Sequence, residues 1–123
     1  MRIGLGYNIN GRDVMGKQAD KTAREFARRI REALGDSVQE IVLFGSRARK
    51  DARGDSDYDF LIVLKGDKLK RRERMRIAGA AVKIGVELKA DAEVLVMTET
   101  EKAERVDKPY TITHWAFQEG ARL

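Results

Sequence analysis

An apolar segment that stops at Gly45-Ser46, and a second that begins behind Asp57-Tyr58-Asp59, restrict the fold of this 123-residue chain more than any other feature. Val38, Ile41, Val42, Leu43 and Phe44 read as a buried strand. The glycine after it permits close backbone approach, and the chain can turn there into a helix start at Ser46 to Lys50. About ten residues on, Asp57-Tyr58-Asp59 opens the run Phe60-Leu61-Ile62-Val63-Leu64. Strand side chains alternate, so Asp57 and Asp59 share one side and Tyr58 takes the other. Carboxylates so placed repel unless a divalent cation sits between them, and oxygen-only donors suit Mg²⁺ or Mn²⁺ better than Zn²⁺. Amides at the Gly45-Ser46 turn, the Ser46 hydroxyl, Arg47 and Arg49 are suited to hold a triphosphate.

Either half alone is commonplace: Gly-Ser after a strand is usually a turn, and Asp-x-Asp is usually a solvated pair or a turn cap. Their order, each attached to a strand, carries the functional reading.

The remainder reads as one compact α+β domain. Residues 1–16 hold Gly4, Gly6, Gly11 and Gly16 and are expected to form a flexible arm or weak hairpin, with a single domain over 17–123. Gly4-Leu5-Gly6 lacks a preceding strand and is no dinucleotide fingerprint. From Asp20, a good N-cap, Ala23, Phe26, Ala27, Ile30, Ala33 and Leu34 fall at helical spacing, and Gly35 ends the run. A second helix carries Leu69, Met75, Ala78, Ala81 and Val82 and closes at Gly85, with Met75 and Met97 in the core. A third strand, about Glu93 to Met97, gives way to a capping box at Thr98 to Glu101 and a short helix up to Val106. Asp107-Lys108-Pro109 breaks the chain before a last helix near Thr111 to Glu119. Helices are expected on one face of a mixed sheet, with the acids on the open face.

The net charge of +5 gathers at Lys68, Lys70, Arg71, Arg72, Arg74 and Arg76, which reads first as a solvated helix face and otherwise as a phosphate or acidic-partner surface. Without interleaved aromatics a single-strand nucleic-acid groove is not supported. His114, the one histidine, makes neither a zinc site nor a triad and is read as structural. Tyr110, Trp115 and Phe117 are read as packing or partner surface rather than a base-stacking platform. No cysteine means no disulfide and no thiolate chemistry. No apolar run approaches a membrane span of about twenty residues, and the N-terminus lacks a signal peptide's apolar core, so a cytoplasmic protein is expected.

The motifs Leu43-Phe44-Gly45-Ser46-Arg47-Ala48-Arg49 and Asp55-Ser56-Asp57-Tyr58-Asp59-Phe60 resemble the nucleotidyltransferase superfamily that shares the DNA polymerase β palm, and within it the minimal nucleotidyltransferases, or MNT-type antitoxins. Lys50 stands where that family commonly has a glycine, a departure in the loop that leaves the metal ligands untouched. The family places a third acid on a later strand. Glu93, which abuts the apolar run, is the first choice and Asp91 the second, since parity alone does not separate them.

The resemblance implies a small polymerase β-like palm. It implies two Mg²⁺ ions on Asp57, Asp59 and Glu93, with a nucleoside triphosphate, ATP by family preference, held at Gly45, Ser46, Arg47 and Arg49. It also implies an acceptor supplied from outside: a tyrosine of a small helical HEPN-type toxin, in an antitoxin role. The alternatives are a small hydroxylated acceptor of the aminoglycoside kind, bound with a partner subunit or second copy, or a non-catalytic module that neutralises a toxin by covering it.

Overall fold

A computed structural model describes residues 20–49 and 57–123, with Arg49 described by its backbone alone. The arm expected at 1–16, Arg53 and the Asp55-Ser56 part of the motif lie outside the described residues.

Helix α1, Lys21–Leu34, begins where the Asp20 carboxylate accepts from the Ala23 amide at 2.9 Å and ends at Gly35, whose φ of 62° suits a residue without Cβ. A 3₁₀ turn leads into β1, Val38–Phe44. The one-turn helix α2, Ser46–Arg49, follows. Strand β2, Tyr58–Leu64, lies antiparallel to β1, and α3, Arg71–Glu87, crosses over to β3, Ala92–Thr98, parallel to β2. Helices α4, Glu99–Arg105, and α5, Ile112–Glu119, precede a two-residue strand β4, Ala121–Arg122, antiparallel to β1. The strand order is β3-β2-β1-β4, a mixed sheet in an α+β domain.

The two long helices share one face of the sheet. There Phe26 stacks on Phe60 with ring centroids 4.0 Å apart, and Ile30, Ile41, Leu43, Tyr58, Ile62, Ile77, Ala81 and Ile84 fill the larger core. The other face carries a smaller cluster under α5, formed by Val42, Leu61, Val63, Met97 and Ala116, and is open toward β3, where Glu93 and Leu95 are exposed.

Two expectations are corrected, and one strand is added to the expected elements. Met75 is 63% exposed, because α3 buries the stripe Ile77, Ala81, Ile84 and Gly85 rather than the one through Met75 and Val82. Gly85 does not close α3: it lies inside the helix, and a Cβ there would stand 3.1 Å from the Ala90 carbonyl oxygen, so glycine lets the α3–β3 connection pass close by. Strand β4 was not foreseen, and Gly120 before it has room for no side chain, since a Cβ would meet the Ala116 and Leu43 carbonyl oxygens and Val42.

Among the cations expected as a solvated face, Lys68, Lys70, Arg71, Arg72 and Arg76 are exposed. Arg74 instead donates to the Val96 carbonyl and pairs with Glu101 at 3.4 Å. Glu101 completes the expected capping box by accepting from the Thr98 amide at 2.9 Å. That bond first, and then Arg74 and Arg105, hold its carboxyl below the usual 4.5. A folded-state value below the unfolded one contributes stability that is complete above the unfolded value and is lost as pH falls through the folded one. Urea unfolding at pH 6 and pH 3 is therefore expected to show a smaller acid loss for Glu101→Gln than for the parent; equal losses would remove Glu101 from the acid response.

Candidate active site

Strand β1 ends at Gly45, where φ reaches 74° and the chain reverses into α2, fixed by the Ala48 amide donating to the Gly45 carbonyl at 3.1 Å. Asp59 stands against this turn: a Cβ built on Gly45 would lie 2.4 Å from Asp59 Oδ2. Glycine is thus required twice, by backbone conformation and by a carboxylate occupying the space of a side chain. Ser46, half-buried, opens α2 beside it.

Alternation along β2 sends Tyr58 into the α1 side and Asp59 to the opposite face, with Leu61 and Val63. The Tyr58 hydroxyl donates to Asp20 Oδ2 at 2.7 Å, so the N-cap of α1 also anchors the middle of the Asp-x-Asp motif. Burial, then the Asp20 carboxylate, hold the Tyr58 hydroxyl above its usual 10, keeping it a donor.

Asp57 is exposed one step before β2. In the parallel ladder Asp59 is the register partner of Glu93, on strands about 4.8 Å apart. The ladder extends one step further, since the Tyr58 amide donates to the Asp91 carbonyl at 2.8 Å, which sets Asp91 beside Asp57. Glu93 therefore lies inside β3 next to Asp59, and Asp91 lies just outside it.

Arg47 is engaged on the α1 side: its guanidinium lies 4.3 Å from the Tyr58 ring centroid and 3.7 Å from Asp20 Oδ2. Arg47, expected among the phosphate-binding groups, thus also braces Tyr58. That contact depends on which face Tyr58 takes and on the approach of α1, neither of which is local in sequence.

Among the described residues no three acidic or imidazole groups converge into a preformed metal cage. The donor chemistry nevertheless fits a hard divalent cation: Asp57, Asp59 and Glu93 supply only oxygen, on one open face of adjoining strands. His114 lies elsewhere, its Nδ1 donating to the Val106 carbonyl at 2.8 Å, the structural role expected of it.

The sequence profile of the nucleotidyltransferase domain matches residues 23–115. The chain belongs to the nucleotidyltransferase domain family. That profile spans both halves of the motif, the Gly45-Ser46 turn and the Asp57-Tyr58-Asp59 strand opening. No curated protein matches the chain in sequence. Among solved structures, a Sulfolobus solfataricus protein classed with the nucleotidyltransferases is 28% identical, with a TM-score of 0.53 over 68% of this chain and 70% of that one. A toxin-antitoxin structure with AMP-PNP is 18% identical at TM-score 0.54, covering 80% of this chain and 69% of that chain. The toxin-antitoxin pair MntA-HepT is 16% identical at TM-score 0.50, covering 84% and 70%. These last two show that the nucleotidyltransferase fold is shared. No helix among the described residues is long and apolar enough to cross a membrane.

Proposed function

We propose that this nucleotidyltransferase moves a nucleoside monophosphate, AMP from ATP, to a hydroxyl held outside the chain, a tyrosine on a HEPN-type toxin partner, and so acts as a cytoplasmic antitoxin. The observation that carries the reading is Asp59 pressed onto the Gly45 turn and in register with Glu93. The acceptor is supported by fold-sharing structures that are toxin-antitoxin complexes, one with AMP-PNP. The described residues form one small α+β unit, which suits an acceptor brought by another molecule.

In this reading Asp57, Asp59 and Glu93 would hold Mg²⁺, as two ions, which when bound neutralises phosphate charge and favours ionisation of the acceptor hydroxyl. Ser46 and the amides of its turn hold the outer phosphates. Arg47 and Arg49 are assigned the charge on the leaving pyrophosphate, a role that suits guanidinium groups. Glu93 takes the acceptor proton; the acceptor oxygen bonds to the α-phosphorus in line as the bond to the β-phosphate oxygen breaks. Pyrophosphate leaves with that electron pair, and the product is a phosphate diester of acceptor and nucleoside. Tyr58 and Asp20 fix the strand so that Asp59 does not drift from Gly45.

Incubation of the chain with Mg²⁺ and ATP labelled at the α-phosphate, with and without the protein encoded beside it, tests this reading. Label is expected on the neighbour's tyrosine and to depend on Asp59. Tight ATP binding without protein labelling would overturn the protein acceptor in favour of a small hydroxylated molecule or a covering role.

A further inference from the structure

Next to the Gly45 turn lies a cleft of about 330 Å³ whose walls include Phe44, Tyr110, Ile112, Trp115 and Glu119. This is at the small end of ligand sites, about 300–1,000 Å³, and suits one planar group rather than an extended ligand. The far wall is the α4–α5 connection, and it is built rather than loose. Thr111 Oγ1 donates to the Arg105 and Lys108 carbonyls at 2.9 and 2.8 Å, and Trp115 Nε1 donates to the Pro109 carbonyl at 2.8 Å. The Trp115 ring meets His114 edge-on, with centroids 5.0 Å apart. Yet Tyr110 is 82% exposed, Ile112 59% and Trp115 48%, so two aromatic rings, one of them pinned, and an isoleucine stand at the surface rather than in the core.

We infer that this cleft seats the base of the nucleotide, stacked on Tyr110 and Trp115, with Glu119 accepting a hydrogen bond from an exocyclic amino group. The inference rests on the proposed nucleotide transfer and adds where the base lies and which bases are preferred. Charge selects the occupant. Among the described residues that line the cleft none is a lysine or arginine and one is a carboxylate, a lining that suits the neutral end of the molecule better than its phosphates. Position agrees, because Gly45 is at once a wall of the cleft and the residue pressed by Asp59. A triphosphate at that turn brings its base within reach of this wall. Base stacking on aromatic side chains is tolerant of sequence, so discrimination falls to Glu119.

Trp115 is the chain's one tryptophan, and its emission reports the cleft directly. In the full chain with Mg²⁺, ATP is expected to change Trp115 emission, whereas inorganic tripolyphosphate competes with ATP without changing it. Tyr110→Ala, at an exposed position, is expected to weaken ATP roughly tenfold to a hundredfold and leave tripolyphosphate unaffected. Glu119→Gln is expected to erase a preference for ATP over ITP, which lacks the 6-amino group. Labelled ATP that binds in dialysis with Trp115 emission unmoved and with unchanged affinity in Tyr110→Ala would overturn the inference and leave the proposed transfer standing. Loss of partner labelling in Tyr110→Ala at unchanged ATP affinity would give the cleft to the acceptor instead. Binding of neither ATP nor tripolyphosphate would overturn both.

Discussion

Asp57→Asn combined with Asp59→Asn is expected to lower nucleotide transfer by roughly a thousandfold or more while the fold persists. Both side chains keep their size, Asp57 is exposed and Asp59 half-buried, so neither change opens a cavity. Loss of two like charges on one face relieves repulsion, and thermal unfolding is expected to stay level or rise slightly. What disappears is the anionic oxygen set on the open face, leaving Glu93 as its remaining member within the ladder. Transfer of label from ATP, measured beside the melting temperature and partner binding, checks this. A double variant that still transfers label at a tenth of the parent rate would move the chemistry away from these acids. One that transfers nothing yet fully neutralises the partner would show that covering the toxin is what protects.

Gly45→Ala is expected to be almost as severe for transfer and, unlike the acid pair, to harm the fold. A left-handed backbone costs a residue with Cβ about 1–2 kcal/mol, and here the methyl also meets Asp59 Oδ2 at 2.4 Å and its Cγ at 3.3 Å. The cheapest relief is to push the carboxylate aside, which displaces the group the chemistry needs; a displacement near 1 Å costs about a hundredfold in rate. Gly35→Ala is the matched control, because its φ is 62° and nothing lies within 4 Å of the added methyl. Both variants are expected to unfold at lower denaturant than the parent, but only Gly45→Ala to lose transfer by a hundredfold. Transfer within a few-fold of the parent in Gly45→Ala would show that contact with Asp59 does not set the site.

The features legible in the sequence were those written in local chemistry. Asp20, Gly35 and the Thr98–Glu101 box mark helix ends through hydrogen bonds that span three or four residues, and all three behave as read. The opposition of Tyr58 and Asp59 follows from strand alternation alone. What escaped depends on neighbours distant in the chain. Two apolar stripes on α3 have equally good helical spacing, and only packing against α1 and β3 chooses Ile77 over Met75. Two residues are too few to announce β4, which exists through its pairing with Val42 and Leu43. Parity left Asp91 and Glu93 equivalent; the β2–β3 register distinguishes their neighbours, and register is not local. For Tyr110 and Trp115 the sequence leaves packing and partner surface both open, because their exposure is decided by where the 106–111 connection lies against β1.

The parallel ladder ends, among the described residues, at β3, a seven-residue strand with no neighbour on its outer side. Such a margin offers amide and carbonyl groups to any passing strand, and apolar Leu95, 40% exposed, makes it more adhesive. Arg74 reaches round from α3 to take the Val96 carbonyl, so a charged side chain sits where a foreign backbone would have to dock. The arginine in the midst of the solvated basic run thereby serves as a guard on the sheet: it keeps self-pairing in check along the strand that carries Glu93, and lets that strand remain uncovered beside Asp59.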